Sequence, residues 1–454
     1  MPPRPPASLA PWLRDEPIDC PCGRPHRLGR RTVFCGSGVL DGVAEAIGCE
    51  IGPRAPLLLL ADPDTFAAAG ARVARDLTVA GHPLREAIHP SAPRADDAAL
   101  AWLRERLEAG APPAAVVAVG AGTLNDLGKA TAAELDVPLV TVATAASMNG
   151  YLSPIAALTV GGLKLTVPAA PARVLVLDLD VLAAAPSRLT AAGFGDLCSK
   201  PVSGADWVLA SWLLDESPCP TALSLADDAV TRVRGVAGDI GRGERGALAA
   251  LVEALLLSGV SMMLAGTSSP ASGGEHLVSH YLDMSEAGWQ RAPFLHGEQV
   301  AVGTRASLAL YRRLFDAAGQ PDSGAAAPVE PPGPAFDALH AHLGDAARAE
   351  VTREASAKRD LAGGRAARAG RAAGGWTELA SRLAPQLAAS HGIEAELEAA
   401  GVPARFAAIG VTRPRAEHVL RAARHLRRRY TVLDLTCDLG RLDRWAAEIA
   451  EELA

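Results

Sequence analysis

Five short apolar runs, separated by longer stretches, dominate roughly the first 180 residues of this chain. They are residues 32–36 (TVFCG), 57–62 (LLLLAD), 114–120 (AAVVAVG), 138–144 (PLVTVAT) and 173–179 (RVLVLDL). Amphipathic segments such as residues 64–81 and 96–110 lie between them. Apolar runs of this length between helices are typical of parallel strands buried on both faces. We therefore predict an irregular Pro-rich arm at residues 1–25 and an α/β, Rossmann-like domain with a parallel sheet at residues 26–185.

The strand pattern ends near residue 180, and the remaining sequence is rich in Ala, Leu, Arg and Glu. It predicts an all-α domain over residues 186–454, so the chain would form two domains. Residues 247–266 are apolar on nearly all sides, which indicates a helix at the centre of a bundle, and the Ser and Gly inside this segment argue against a membrane span. Residues 318–336 are of low complexity, and we predict a mobile loop there.

Composition and charge restrict the class of protein. The net charge of -7 and a pI near 5.9 argue against a nucleic-acid partner, because no basic face dominates. No uninterrupted apolar run reaches the roughly 18 to 20 residues that span a bilayer. The Pro-rich N-terminus lacks the apolar region of a signal peptide, so a cytoplasmic protein is expected. Seven scattered cysteines, an odd number, argue against disulfide bonds.

Three of the potential metal ligands cluster in the segment CPCGRPH, namely Cys20, Cys22 and His26. Their spacing resembles half of a zinc site. No second pair of Cys or His residues follows at a fitting distance. Two interpretations stay open, a structural metal site and a loop that caps the fold.

Three candidate metal ligands, one carboxylate and two imidazoles, lie close to glycines in the second part of the chain. They are Asp196 in GFGDLCSK, His276 in SGGEH and His296 in LHGEQV. Three protein ligands of this kind bind a divalent metal and leave one coordination position open for substrate. The pattern predicts a catalytic metal site.

A candidate phosphate-binding loop follows the third apolar run, where Gly120 ends a predicted strand and Gly122 and Thr123 open a helix. Glycines let the backbone approach a pyrophosphate, and the first N–H groups of a helix attract its charge. The same pattern fits an ordinary tight turn. Asp126 either bonds this loop or caps the helix. A metal and a nucleotide together indicate redox chemistry on a small hydroxy or keto compound.

Polar side chains follow two neighbouring predicted strands. Asp62 ends the run LLLLAD, where a carboxylate commonly holds an adenosine ribose, although an N-cap of the next helix is equally compatible. Thr144 and Ser147 follow the run PLVTVAT and are either nucleotide ligands or turn formers.

Five ordered motifs resemble the sn-glycerol-1-phosphate dehydrogenase family, especially its bacterial branch encoded in arabinose operons. They are GAGTLNDLGK, TAASMNGYLSP, GFGDLCSKPVSGADW, SGGEHLVSHYLDM and LHGEQVAVGT. The opening CPCGRPH and the closing RRRYTVLDLTCDLGRL are also similar to that branch. The resemblance extends from about residue 20 to 440, except for the low-complexity segment. The wider group contains glycerol dehydrogenases, iron-containing alcohol dehydrogenases and dehydroquinate synthases.

This resemblance implies an active site in the cleft between the two domains and a homodimer. It implies NAD or NADP as cofactor, one divalent ion (zinc or nickel, possibly iron), and interconversion of dihydroxyacetone phosphate, a small phosphorylated substrate, with sn-glycerol 1-phosphate. The implied metal ligands are again Asp196, His276 and His296. The implied nucleotide contacts are Asp62, Gly120, Ala121, Gly122, Thr123, Leu124, Asn125, Asp126, Thr144, Ser147 and Ser153.

Three further residues are candidates for substrate or cofactor binding. His280 lies one helical turn after His276 and is either a direct ligand or a neighbour that contacts substrate. Lys200 lies four residues after Asp196 and either faces a substrate phosphate or forms a salt bridge. Lys164, in GGLKLT, has the same phosphate or nucleotide interpretation.

Asn149 is the one departure from the family pattern, which has Asp at this substrate-contacting position of the Ser-Met-Asp-Gly segment. Asn hydrogen-bonds a hydroxyl but cannot exchange a proton as Asp does. An altered substrate, slower catalysis and lost activity are therefore three alternatives. The alternative functions are a dehydroquinate-synthase-like cyclase and a nucleotide-binding relative without catalysis.

Overall fold

A computed structural model describes residues 5–108, 110–214, 216–285, 294–315 and 329–454. Its strands are β1 (Thr32–Gly36), β2 (Leu57–Ala61), β3 (Leu84–Ile88), β4 (Ala115–Gly120), β5 (Leu139–Ala143), β6 (Ile155–Val160), β7 (Leu163–Pro168) and β8 (Val174–Asp178). Six of them form one parallel sheet in the order β1-β8-β5-β4-β2-β3. The antiparallel hairpin β6-β7 is separate from this sheet.

Helices surround the sheet and make up nearly all of the regular structure after β8. They are α1 (Val43–Glu50), α2 (Pro63–Thr65), α3 (Ala71–Val79), α4 (Asp97–Glu108), α5 (Gly122–Leu135), α6 (Leu179–Ala184), α7 (Ser187–Leu197), α8 (Lys200–Leu214), α9 (Pro220–Thr231), α10 (Ala237–Gly241), α11 (Arg245–Ala265), α12 (Gly274–Met284), α13 (His296–Phe315), α14 (Pro334–Leu339), α15 (Asp345–Arg359), α16 (Gly364–Gly374), α17 (Trp376–Ala389), α18 (Ile393–Ala399), α19 (Arg413–Ala422), α20 (Val432–Asp438) and α21 (Leu442–Glu452). A π-helical turn, Phe66–Gly70, joins α2 to α3. Short 3-10 turns lie at Ala10–Leu13, Val39–Gly42, Gly150–Leu152, Ser269–Ala271, Leu361–Gly363, Ala407–Ile409 and Ala423–Leu426.

The predicted fold class is confirmed, since all five apolar runs are parallel strands and the described residues after 178 contain no strand. Three strands were missed. β3 reads LREAI at the sheet edge and is mostly part-exposed, so it lacks the apolar run of a central strand. In the hairpin β6-β7, Gly161 and Gly162 both have positive φ, 57° and 79°, which a tight two-residue turn requires.

Helix α11 confirms the buried apolar helix expected at residues 247–266. By length and hydropathy it is the one described helix that could cross a membrane, but 78% of its most apolar window is buried inside the protein. It packs against α9, α7 and the 3-10 turn Gly150–Leu152. A helix that is apolar all round is expected at the centre of a bundle, and this packing shows why the sequence is so apolar.

The expectation of a loop at residues 318–336 is wrong in its last part. Residues 318–328 lie outside the described residues, but α14 begins at Pro334, and Phe336 is 2% exposed within the helical core. The predicted irregular arm is largely irregular where it is described, with one 3-10 turn at Ala10–Leu13. Leu9 in this arm is fully buried, so the arm packs onto the body of the protein.

Candidate active site

The predicted metal ligands come together where the helices meet the sheet domain. Asp196 lies near the end of α7, His276 on the first turn of α12, and His296 at the start of α13. One ligand atom from each lies within 4.8 Å of the others, and His276 Nε2 is 3.6 Å from Asp196 Oδ1. A carboxylate and two imidazoles at these separations fit a single divalent ion.

Glycines allow the three helices to approach closely enough for this arrangement. A Cβ on Gly297 would lie 1.7 Å from the carbonyl oxygen of Ala192, and one on Gly303 would lie 2.4 Å from that of Glu275. Side chains at these positions would push α13 away from both α7 and α12. The glycine after His296 is therefore part of what brings this imidazole next to Asp196.

Hydrogen bonds orient both imidazoles. His276 Nδ1 is 2.8 Å from Glu275 Oε1, which leaves Nε2 directed at Asp196. His296 Nδ1 is 3.3 Å from Ser279 Oγ. Desolvation and the neighbouring His276 imidazole lower the pKa of His296 to about 4, so this ring is neutral near pH 7 and its lone pair is free for a metal.

Glu275→Gln is expected to weaken metal binding about 10- to 100-fold, because a neutral amide oxygen makes the His276 imidazole a weaker donor. Oε2 of Glu275 has no hydrogen-bond partner among the described residues, so glutamine can place its amide nitrogen there without displacing a bond. Calorimetric titration with zinc or nickel measures the change. Glu378→Gln, at a surface pair with Arg382, is the matched control. Equal affinities of Glu275→Gln and the unsubstituted protein would contradict this role.

The predicted substrate contact at Lys200 is wrong, and the alternative, a salt bridge, is correct. Lys200 is fully buried, and its Nζ donates to Asp196 Oδ1 at 2.8 Å, Asp196 O at 2.8 Å, Ser199 Oγ at 3.1 Å and Ala271 O at 3.2 Å. No N–H remains for a phosphate. Burial alone would raise the pKa of Asp196, but the Lys200 ammonium and the two imidazoles hold it well below its usual range. Lys200 therefore keeps the ligand carboxylate ionised.

His280 lies beside the three ligands but outside their cluster. Its ring centroid is 6.1 Å from that of His276 and 6.0 Å from that of His296. Desolvation lowers its pKa well below the usual value, and nearby imidazoles and cations lower it further. Its buried Nδ1 has no hydrogen-bond partner among the described residues. An unpaired buried polar atom is costly, and a bound substrate can satisfy it.

Asn149 contacts one of the predicted metal ligands, Asp196. Its backbone N–H donates to Asp196 Oδ2 at 3.2 Å, and its side-chain Nδ2 donates to Ser258 Oγ on α11 at 3.1 Å. A carboxylate in place of this amide would accept from the Ser258 hydroxyl instead. The local structure is therefore compatible with either residue, and the departure from the family pattern changes the charge rather than the fold.

The predicted nucleotide loop joins β4 to α5. A Cβ on Gly120 would lie 2.4 Å from Leu124 Cδ1, which shows how tightly the loop turns. Leu124 is buried in the sheet core, so only its backbone is available to a ligand. Asn125 is also buried, and its Nδ2 has no hydrogen-bond partner among the described residues. The N–H groups that open α5 provide the anion-binding feature expected from the sequence.

The other predicted nucleotide residues follow the ends of strands. Thr144 N donates to Gly120 O at 3.3 Å, which places the end of β5 beside the end of β4, and Ser147 lies half-buried in the following loop. Asp62 Oδ1 accepts from Thr65 N at 2.8 Å in a capping box, as the N-cap alternative predicts. The structure shows the cap, and the ribose-binding role of Asp62 stays a prediction.

Lys129 was not singled out from the sequence, although it occupies the buried face of α5. Its ammonium is 1% exposed and donates to Gly150 O, Ser153 O, Ser153 Oγ and Ile155 O at 2.6 to 2.9 Å. Ser153 is 2% exposed and its hydroxyl takes part in this network, so the expected nucleotide contact at Ser153 stays a prediction. A charged residue four positions after Asn125 and three before Ala132, on the face that these two residues share, was the available signal.

Lys164 lies on the hairpin strand β7, with Nζ 3.4 Å from Asp283 Oδ2 of α12. Partial burial raises the pKa of Asp126 to about 6, and the charges of Lys129 and Lys164 oppose this shift. Lys164 also contributes to the lowered pKa values of His280 and His296. The ammonium group of this hairpin therefore acts electrostatically on Asp126 of α5 as well as on His280 and His296.

Comparisons with known proteins show the family to which the chain belongs. A profile of the family described as iron-containing alcohol dehydrogenase matches residues 35–186. The glycerol-1-phosphate dehydrogenase (NAD(P)+) of Hyperthermus butylicus is 34% identical over 282 residues, which cover 62% of this chain and 78% of that protein. This chain belongs to the glycerol-1-phosphate dehydrogenase family.

Other members of the glycerol-1-phosphate dehydrogenase family match a shorter part. The protein of Geobacillus thermodenitrificans is 38% identical over 201 residues, 44% of this chain and 50% of the relative. The chain thus spans about half the length of these curated relatives.

Solved structures show the same fold at low identity. A probable glycerol dehydrogenase from Sinorhizobium meliloti has a TM-score of 0.60 at 17% identity, covering 92% of this chain and 98% of that one. The NADH-dependent butanol dehydrogenase A of Thermotoga maritima has a TM-score of 0.57 at 16% identity, covering 96% and 99%. Both confirm an α/β domain followed by a helical region.

Proposed function

We propose that this chain is a metal-dependent, NAD(P)-linked dehydrogenase that interconverts dihydroxyacetone phosphate and sn-glycerol 1-phosphate or a closely related polyol phosphate. The observation that carries the proposal is the cluster of Asp196, His276 and His296 beside the loop that opens α5. The names of the family's characterised members, NAD(P)+-dependent glycerol-1-phosphate dehydrogenases, support the same reaction class.

The three clustered side chains would hold one divalent ion, with zinc, nickel or iron as the candidates. When bound, such an ion polarises a carbonyl oxygen and a reduced nicotinamide supplies the hydride. The protein's own part is to hold Asp196 ionised through Lys200 and to orient both imidazoles by hydrogen bonds to Glu275 and Ser279. No nucleophilic side chain is needed for hydride transfer.

The phosphate end of the substrate has a matching cation in Lys164. Its side chain is 21% exposed, unlike that of the enclosed Lys200, and its charge acts on His280 and His296. The Arg427 guanidinium donates to the Lys164 carbonyl oxygen and adds positive potential near His280. His280 Nδ1 offers an uncommitted polar atom to a substrate oxygen or hydroxyl. Together they favour a phosphorylated substrate over a neutral polyol.

Lys164→Met is expected to lower kcat/KM for dihydroxyacetone phosphate about 10- to 100-fold, the loss of one charge-assisted hydrogen bond. Turnover of unphosphorylated dihydroxyacetone should stay at the unsubstituted protein's level, since it offers Lys164 no charge. NADH and NADPH oxidation by the metal-loaded protein measures both. Arg72→Met, which removes a surface cation paired with Asp41, is the control. An equal loss on both substrates would contradict a phosphate contact.

The same assay with Asn149→Asp separates the alternatives that Asn149 raises. A gain of turnover on dihydroxyacetone phosphate would show that the uncharged amide slows the usual reaction. Tight nucleotide binding without turnover in both forms would indicate a non-catalytic relative. Redox-neutral conversion, with no net change in NADH, would instead indicate a dehydroquinate-synthase-like cyclase.

A further inference from the structure

The described part of the chain contains a second cluster of metal-ligating side chains. Cys20, Cys22 and His26 come from the N-terminal arm, and Cys219 comes from the N-cap position of α9. One ligand atom from each lies within 4.8 Å of the others. The sequence showed only the first three as half of a site, because the fourth ligand is 193 positions after His26.

The separations of these atoms suit a tetrahedral ion. With Zn–S near 2.3 Å and Zn–N near 2.0 to 2.1 Å, tetrahedral geometry places ligand atoms about 3.5 to 3.8 Å apart. Cys20 Sγ lies 3.5 Å from Cys219 Sγ, and His26 Nε2 lies 3.7 Å from Cys219 Sγ and 3.0 Å from Cys22 Sγ. Since all four ligand atoms lie within 4.8 Å of one another, shifts of no more than about 1 Å would complete the site.

The backbone conformation of the N-terminal arm brings its three ligands together. Gly23, at φ 71°, donates its N–H to Cys20 O at 3.1 Å and turns the chain directly after Cys22. Ile18 then pairs with His26 across this turn, with Ile18 N donating to His26 O at 3.0 Å. The turn therefore brings both arm cysteines and the imidazole to one side.

Additional donors surround the sulfur atoms. Thr221 Oγ1 lies 3.1 Å from Cys20 Sγ, and Arg24 N donates to Cys22 Sγ at 3.5 Å. Hydrogen bonds of this kind stabilise thiolates and are typical around metal-bound sulfur. Cys20, His26 and Cys219 are all buried, so bulk water has little access.

A disulfide explains this cluster less well than a metal. Cys20 and Cys219 are close enough to approach each other, but a bond between them would leave Cys22 and His26 without a reason to converge on the same point. Four donors with three sulfurs and one nitrogen form a complete coordination sphere for zinc and leave no position for substrate.

We propose that Cys20, Cys22, His26 and Cys219 bind a structural zinc ion, which fastens the N-terminal arm to helix α9. This ion is separate from the one at Asp196, His276 and His296, so each chain carries two metals of different ligand chemistry. The link joins segments 193 to 199 residues apart, and closing so long a loop restricts the unfolded chain strongly.

Cobalt substitution of the full-length protein distinguishes the two sites directly, because only sulfur ligands give a thiolate-to-cobalt charge-transfer absorption. Titration of reduced, metal-free protein with Co²⁺ should produce this band, which saturates within two equivalents per chain because the Asp196 cluster also takes up cobalt. His296→Ala should retain the band in full, because it alters only the other site. Cys219→Ser should lose the band or weaken cobalt binding by more than about a hundredfold.

Cys49→Ser, which changes an exposed free thiol, is the matched control and should titrate as the unsubstituted protein does. Absence of the thiolate band from the unsubstituted protein would overturn the proposal, whether or not Cys219→Ser folds. A band that survives in Cys219→Ser with unchanged affinity would overturn it as well. So would a Cys20–Cys219 disulfide detected by mass spectrometry in protein purified under reducing conditions.

Discussion

His296→Ala is expected to lower kcat/KM by about a thousandfold or more, together with loss of the metal from the Asp196 cluster. Metal polarisation of a reacting carbonyl stabilises the transition state by several kcal/mol, and each 1.36 kcal/mol corresponds to a factor of ten. Alanine here leaves no charge unpaired, because the His296 imidazole is neutral with a pKa of about 4. Metal analysis and steady-state kinetics give the two readouts.

His296 tests the site more cleanly than Asp196 does. Removing the Asp196 carboxylate would leave the Lys200 ammonium buried without its partner, at a cost of about 3 to 5 kcal/mol. A failure to fold would then imitate a failure to react. His391→Ala, at an exposed imidazole, is the matched control and should keep full activity. Full metal content with full activity in His296→Ala would contradict its assignment as a ligand.

Lys129→Met is expected to lower the free energy of unfolding by about 3 to 5 kcal/mol, although methionine fills a similar volume. The Lys129 ammonium is the donor shared by carbonyl oxygens of Gly150, Ser153 and Ile155, and all would lose it together. These residues connect the turn containing Asn149 to the hairpin β6-β7. Activity should therefore fall along with stability.

Urea denaturation of Lys129→Met and Lys164→Met compares the loss of a buried ammonium with four acceptors to the loss of a partly buried ion pair. Lys164 makes one ion pair at 3.4 Å and is partly exposed, so its loss should cost no more than about 1 kcal/mol. The quantity to compare is the ratio of the two losses in free energy of unfolding. If the two variants were equally stable, the Lys129 network would not hold the loop as described.

Local patterns in the sequence were sufficient for most of the sheet. Buried parallel strands such as β4 and β8 are continuous apolar runs, so they can be predicted without knowing which strands pair with them. The edge strand β3 and the hairpin β6-β7 are partly exposed and carry polar residues, so their pairing depends on tertiary context. The capping role of Asp62 could also be predicted from the sequence, because its partner Thr65 is only three residues away.

The side-chain environments depended on distant contacts. The sequence shows that Lys200 lies four residues after Asp196, but not that Ala271 O, 71 residues away, helps to enclose its ammonium. Cys219 could not be joined to Cys20 and Cys22 by any spacing rule, since its position follows from how α9 packs against the arm. Sequence motifs predicted the candidate ligands, and the fold determined what surrounds them.

The most direct test of the account is the rate of NADH or NADPH oxidation with dihydroxyacetone phosphate, measured on the same preparation before and after loading with zinc or nickel. The account predicts turnover that appears with metal, disappears with a chelator and returns when metal is added back. Equal rates in the metal-free and metal-loaded protein, or no oxidation in either, would contradict it.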